Sequence, residues 1–471
     1  MYDIALVYPP VSIKGRYKKV ATGHEVPPQP LIYLGAYLRK NNFKCKLIDA
    51  NAFALDINET VKAVLEAGAR CVGITTPTML ISTAAKLATK LKEKDAGITV
   101  IVGGPHITAV PEKTMELYKD IDIGVLGEGE VTIIELLHAL KDKTGLESVR
   151  GIIYRGSTGL ITTESRPYLQ DLDMLPLPAW DMLPDILKHY QQSAARIDRL
   201  PNMSIITSRG CPFQCIFCAR NVFGNVTRSH SADYILNMVK HLIKTYKVKS
   251  LSIEDENFVI YKKRLVEFCN RIIEEKIDIT WDCASNINAV NEELLVLMKK
   301  AGCWQINYGI ESGSQRILNF IKKGVTKESI ENALTLTKKC GIQTKAYFII
   351  GHPTETLESI QETIDFIKKI DLDIFQMSFM VPLPGAELYG IADKYGEFRN
   401  DWDDMNIWTP LFIPRGLTEE DLKRESKRAY REFYFRFKPA MTFLRRALRP
   451  TAFKKFFSDG IKILRFLMAK D

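Results

Sequence analysis

Short apolar runs alternate with amphipathic stretches along the first 145 residues. The runs IALVY (4–8), CKLID (45–49), CVGIT (71–75), ITVIVGG (98–104) and IDIGVLG (121–127) are of strand length and rich in β-branched residues. Between them, residues 30–41, 58–67, 80–94, 111–118 and 130–142 carry apolar side chains at helical spacing. Five strands alternating with helices predict an open parallel sheet covered on both faces, a Rossmann-like α/β domain. Such sheets bind ligands in the loops at the carboxyl ends of their strands. Here those loops read TTPT (with Thr76 and Thr78), GGPH (Gly103, Gly104 and His106) and GEGE (Gly127, Glu128 and Glu130). Glycines and hydroxyls at these places suit close backbone approach to a large ligand.

The pattern changes at residue 150. GIIYR and GLITT on either side of Ser157-Thr158-Gly159 predict a hairpin, and LPLPAWDMLP after it is too proline-rich for a helix interior. A second series then starts: MSIITS (203–208), SLSIED (250–255), ITWDCAS (279–285), QINYGI (305–310), TKAYFIIG (344–351) and IFQMSFMV (374–381). Helical stretches of about 15 residues separate most of them. Six such units predict a partial (β/α)6 barrel of the TIM type, with its site again at the carboxyl ends of the strands. The expected division is 1–148 sheet domain, 149–200 hairpin and linker, 201–395 partial barrel and 396–471 basic helical region. In the last, Thr418-Glu-Glu-Asp421 reads as a helix N-cap with an acidic first turn.

Composition and charge narrow the class. With 46% hydrophobic and 26% charged residues in 471, the chain has enough apolar side chains for large cores and is not disordered. No apolar run approaches the roughly 18 residues of a membrane-spanning helix. MYDIALVYPP reads as a first strand and not as a secretory signal. Nine cysteines without such a signal predict a reducing, cytoplasmic setting. The net charge is +9, but residues 423–471 hold 15 Lys/Arg against 4 Asp/Glu, which leaves the first 422 residues at −2. A near-neutral body argues against a nucleic-acid partner. Within the tail, Phe453, Phe457, Ile461, Leu464 and Met468 fall at helical spacing among Lys454, Lys455, Lys462 and Arg465. Such a helix fits either a peripheral contact with the inner membrane face or packing on the barrel.

The decisive segment is TSRGCPFQCIFCAR, which spaces Cys211, Cys215 and Cys218 as C-x3-C-x2-C on the loop leaving the first barrel strand. Three thiolates can hold three irons of a 4Fe–4S cluster and leave the fourth iron open to a chelating molecule. A structural zinc site would want a fourth Cys or His at short spacing, and the nearest, His230, stands twelve residues on without a partner. Cys45, Cys71, Cys269, Cys283, Cys303 and Cys340 lie in apolar surroundings and read as core thiols. Cys283, on a barrel strand, has the alternative reading of a hydrogen donor to a substrate.

With these residues in place, the chain resembles the radical S-adenosylmethionine (SAM) enzymes that carry an N-terminal cobalamin-binding domain. That branch includes the anaerobic magnesium-protoporphyrin ester cyclase and many C-methyltransferases. Phe217 precedes the third cysteine as in the family. Further likeness lies in IEDENF (253–258), GIESGSQRIL (309–318), FIIGHPTET (348–356), PLPGAELY (382–389), VGGPH (102–106) and GVLGEGEVT (124–132). The resemblance implies a 4Fe–4S cluster, SAM chelated to its open iron and cleaved to a 5′-deoxyadenosyl radical, and cobalamin over the barrel mouth. It implies SAM contacts from Asp255 and Asn257, Asn286, Glu311 and Ser312, and Gly351 and Glu355, at the ends of the second to fifth barrel strands. Helix capping is the other role for several of these. Asn286 stands where the family often has Arg, and HPTE (352–355) replaces a loop that commonly has a second glycine. No D-x-H-x-x-G stretch is present, so His106 is expected to hydrogen-bond backbone or the cobalamin tail and not to ligate cobalt.

The expected function is therefore cobalamin-dependent radical methylation of an unactivated carbon in a small-molecule or lipid-like substrate, with a reductant such as flavodoxin or ferredoxin. The rivals are a radical SAM cyclase, oxidase or rearrangement enzyme, and a non-enzymatic cobalamin or redox sensor.

Overall fold

A computed structural model describes residues 2–11, 26–190, 192–436 and 441. The basic helix expected at 450–468 lies outside the described residues.

In the first sheet, β1 (Ile4–Tyr8), β2 (Cys45–Asp49), β3 (Cys71–Thr75), β4 (Thr99–Gly103) and β5 (Ile123–Val125) run parallel in the order β2-β1-β3-β4-β5. The strand residues divide by alternation between two cores. Ile4, Leu6, Ile101 and Val125 face one cluster, and Ala5, Val7, Val72, Val100 and Val102 face the other. Burial on both faces is what makes these strands unbroken apolar runs. The hairpin of β6 (Ile152–Gly156) and β7 (Gly159–Thr162) continues the same sheet, with β6 antiparallel to β5 and Ile123 opposite Tyr154.

The second sheet is a curled, six-stranded, wholly parallel half-barrel. It takes β8 (Asn202–Ile205), β11 (Ser250–Ile253), β12 (Thr280–Ser285), β13 (Cys303–Glu311), β14 (Gln343–Ile350) and β15 (Ile374–Phe379) in chain order. Its helix-facing residues, among them Leu251, Trp281, Ile306 and Phe348, are buried in the largest core. The opposite face is polar. Ser252 Oγ and Asn307 Nδ2 donate to Asp282 at 2.7 and 2.9 Å. From the linker, Arg196 reaches in to pair with both Glu254 and Asp282 at 2.8 Å.

Two short ribbons complete the strands: β9 (Ser208–Arg209) with β10 (Arg228–Ser229), and β16 (Gly396–Phe398) with β17 (Phe412–Pro414). Residues 396–414 thus form two strands and a 3-10 turn at Trp402–Asp404 and not an α-helix. Trp402, Met405 and Leu411 turn this segment back into the core of the first sheet. The helix starts at Glu419, where the Thr418 side chain accepts from Asp421 N in a capping box, and runs to Tyr434. The Tyr430 and Tyr434 hydroxyls donate to the carbonyls of Met377 and Phe375, which covers the edge of β15. Among the described residues no helix is long and apolar enough to cross a membrane.

Candidate functional site

The carboxyl ends of both sheets converge on one cavity of about 630 Å³. Gly103, Gly104, Gly127, Glu128 and Glu130 line it from the first sheet. Cys211, Cys215, Phe217 and Cys218 line it from the cysteine loop, and Asn257, Asn286, Asn307 and Glu311 from the barrel.

The cysteine loop is fixed from its start. Asp255 is fully buried and accepts four hydrogen bonds: from Thr207 N (2.5 Å) and Oγ1 (2.6 Å), and from Ser208 N (3.1 Å) and Oγ (2.6 Å). Gly210 follows at φ 82°, and a Cβ there would stand 2.3 Å from the Val226 carbonyl oxygen, so only glycine passes. Farther on, Ile216 N donates to Ile321 O and Leu388 N to Ile216 O, tying the loop to two other segments. Phe217 packs between two small apolar clusters, one of Ile216, Ile317 and Ile321 and one of Met380, Leu388, Ala392 and Phe412. Cys215 is buried, Cys211 half-buried and Cys218 exposed toward the cavity. Among the described residues no three His, Cys, Asp or Glu side chains are gathered round one ion-sized point. Burial raises the Cys211 and Cys215 thiols, and the protein walls around the cavity, together with Cys215, push Cys218 up to about 12 although its side chain opens to the cavity. The Lys323 ammonium opposes this at each thiol. Metal uptake at this loop must therefore displace protons.

Lys323 Nζ is held by Glu311 at 2.8 Å. Glu311 sits at φ 72° on the irregular end of β13, a left-handed conformation rare for a non-glycine residue. Gly309 makes room for the pair, since a Cβ there would lie 2.4 Å from Glu311 Oε1. Beside it, Asn286 N donates to Asn257 Oδ1 at 3.3 Å. Asn257 Nδ2 and Asn307 Oδ1, both buried and both on cavity-lining residues, have no partner. Buried polar atoms of this kind are ordinarily satisfied, so the two mark where a polar ligand would bind.

On the first sheet, Thr76 N and Oγ1 both donate to Gly103 O, and Thr108 Oγ1 accepts from Gly127 N. A Cβ at Gly127 would meet nothing within 4 Å. Below these loops an apolar slot, lined by Leu6, Leu34, Ile74, Ile101, Val125 and Ile133, extends alongside the sheet. Glu128 and Glu130 line the cavity but are already paired. Arg209 bridges them at 2.8 and 2.5 Å, and Arg228 holds Glu128 at 2.8 Å. Burial works against charge at Glu130, yet the Arg209 guanidinium keeps its carboxyl below the usual range.

Several residues singled out in the sequence stand away from the cavity wall. Thr78 opens a turn packed against Trp402–Asp404. His106 is fully buried, its ring edge-on to Trp402 at 4.4 Å, and neither ring nitrogen has a partner. Burial and nearby Lys113 lower it to about 4, so it is neutral. Asp255 lies behind the loop it clamps. Ser312 bonds Thr363 and receives Ser314 N. Cys283 is buried on the helix-facing side of β12 among core residues. Gly351 (φ 91°) and His352 donate their N–H groups to Glu355, which makes that carboxylate a turn clamp.

Burial pushes Glu355 up to about 7 despite those two donors. The folded protein thus holds this proton more tightly than the unfolded chain, whose carboxyl titrates near 4.5. The stabilisation is complete below pH 4.5 and is lost as pH rises through about 7, a loss of about 3 kcal/mol. Thermal unfolding from pH 5 to 8 is expected to show that loss in wild type and not in Glu355→Gln; equal slopes would refute it.

Sequence reasoning missed Lys323, Asn307, Arg228 and the role of Arg209. Arg209 was in view within TSRGC, but its partners lie about 80 residues upstream and no local signal joins them.

A sequence model of the radical SAM superfamily matches residues 205–367, and one of the B12 binding domain matches residues 19–137. The chain is 35% identical over 436 residues to an uncharacterized methyltransferase of Pyrococcus horikoshii, covering 92% of each protein. It is 28% identical to the anaerobic magnesium-protoporphyrin IX monomethyl ester cyclase of Rubrivivax gelatinosus, over 87% of this chain and 74% of that one. In fold it is similar to OxsB, a cobalamin-dependent SAM radical enzyme solved with aqua-cobalamin and SAM bound (TM-score 0.75, 19% identity, 99% of this chain and 72% of that one). It is also similar to the radical SAM methyltransferase TsrM of Kitasatospora setae (TM-score 0.67, 16% identity, 90% and 82%).

Proposed function

Because the chain belongs to the cobalamin-binding radical SAM enzymes, we propose that it methylates an unactivated carbon of a small-molecule or lipid-like substrate. The observation that carries the proposal is the single cavity shared by the glycine loops of the first sheet and the three cysteines of the barrel. A methyl carrier and a radical source must both reach one carbon, and this cavity is open to both.

The residues present fit the three cofactors of the family. Three thiols on a clamped loop suit a 4Fe–4S cluster with one open iron. Unpartnered Asn257 Nδ2 and Asn307 Oδ1 suit the polar groups of SAM. Open space over Gly127 and the apolar slot beneath suit a flat macrocycle with a long tail. When bound, these groups supply one-electron cleavage of SAM and a methyl group for transfer to carbon. In this reading residues 1–148 hold cobalamin, residues 201–395 hold the cluster and SAM, and a flavodoxin- or ferredoxin-type donor provides electrons. The chain's own part is positional. Asp255 fixes the loop, Glu311 holds the Lys323 ammonium beside the thiols, and Phe213, Phe217 and Phe223 give the cavity an apolar lining.

Gly103→Leu tests the macrocycle site. Gly103 has an ordinary backbone, and a Cβ there would make only a 3.8 Å contact with Val125. The larger side chain should leave the fold intact and weaken hydroxocobalamin retention by at least about tenfold, since it takes up ligand space in the cavity. Undiminished retention would remove this loop from the site.

Transfer of a deuterated methyl from labelled SAM to product tests the reaction itself. The similarity to the ester cyclase favours a second reading, in which the substrate is cyclised or oxidised and gains no methyl. Turnover with unchanged carbon count would select it.

A further inference from the structure

Neutral hydrogen bonds such as Tyr33 Oη to Ile206 O join the two halves of the cavity, and beside them stands a buried charge network. Arg209 lies on β9, two residues before Cys211, and its two Nη atoms fork onto Glu128 and Glu130 of the GEGE loop. Arg228, on the paired strand β10, donates from Nη1 to both oxygens of Glu128 at 2.9 and 2.8 Å, and Leu169 N donates to Glu128 Oε2. All four charged side chains are more than nine-tenths buried, with two cations against two anions. Phe223 and Tyr168 lie under the two guanidinium groups at 5.4 and 4.7 Å. Glu128 stands between Gly127 and Gly129 at the start of the helix Gly129–Asp142, where Gly127 N donates to Thr108 Oγ1, so the arginines grip carboxylates on an already ordered helix start.

We propose that Arg209 is a positioning residue that couples occupancy of the cobalamin site to occupancy of the cluster site. The proposal rests on the cofactor reading given above. A macrocycle seated on residues 127–130 bears on the carboxylates that Arg209 grips, and a cluster on Cys211 bears on the strand that carries Arg209. Such a closed, buried network is stiff. A low-dielectric interior gives its charges no water to turn to, so movement of one loop transfers to the other. Linkage then requires each cofactor to tighten the other by the same factor.

The test is anaerobic titration of hydroxocobalamin into the full chain, followed by absorption, with the cluster reconstituted and with iron removed. Wild type is expected to bind about tenfold more tightly with the cluster present. In the charge-neutral double variant Arg209→Gln/Glu130→Gln, that ratio should fall to about one. Arg209→Lys keeps the charge but cannot fork onto two carboxylates, and it should collapse the ratio likewise; it decides the matter if the double variant does not fold. A purely structural role would weaken binding by the same factor in both states and leave the ratio as in wild type, which would overturn the proposal. So would a wild-type ratio near one with tight binding in both states, and that result would leave the cofactor reading standing. Wild type that takes up no corrinoid in either state would bring down both.

Discussion

Cys215→Ala protein is expected to produce less than about a thousandth of the wild-type 5′-deoxyadenosine when given SAM and a strong reductant. Two thiolates in place of three would leave two irons without a protein ligand, so the cluster is not retained, and the iron that would chelate SAM is lost with it. The fold should persist. Cys215 is buried, but truncating one small side chain costs on the order of 1–2 kcal/mol. The backbone bonds of neighbouring Ile216 to Ile321 and Leu388 do not involve the thiol. Circular dichroism and iron content separate the two effects. A folded Cys215→Ala protein that still cleaves SAM would sink the cluster assignment.

Asp255→Ala should do most damage to the fold near the site. The carboxylate accepts from two backbone N–H groups and two hydroxyls, with Arg264 at 3.8 Å. Its removal leaves these four donors without their acceptor and the buried Arg264 guanidinium without its counter-charge, at a cost of about 3–5 kcal/mol. The expected result is a lowered unfolding midpoint and iron content near zero after reconstitution, because Thr207 and Ser208 no longer aim the chain at Cys211. Hydroxocobalamin binding should suffer less than iron uptake, since Asp255 does not line the cavity. Wild-type iron content in Asp255→Ala would show that the loop is held by other means.

These two positions mark how differently the sequence exposed its chemistry. Cys215 was legible at once, because the spacing of three thiols is local and a cluster demands it. Asp255 stands out in the sequence as a strand-end carboxylate, open to a SAM contact or to capping the following helix. The tertiary structure puts its carboxylate behind the loop, where Thr207 and Ser208 consume its lone pairs. Glu355 followed the same course, from cofactor contact to turn clamp. Carboxylates at strand ends serve ligands or backbone alike, and only the nearby donors tell which.

Local pattern alone determined the five parallel strands of the first sheet, the six-stranded half-barrel, the Thr418 helix cap and the cysteine loop. Each depends on residues within a few positions of one another, through period, capping or thiol spacing. Only the folded chain decided that the two sets of loops face one cavity and that residues 396–414 return to the first sheet. It also decided that Arg209 meets Glu128 and Glu130, and that Lys323 stands by the thiols. These are contacts between segments tens to hundreds of residues apart. Burial selects them by matching charge and shape across elements, and no periodicity along the chain records such a match.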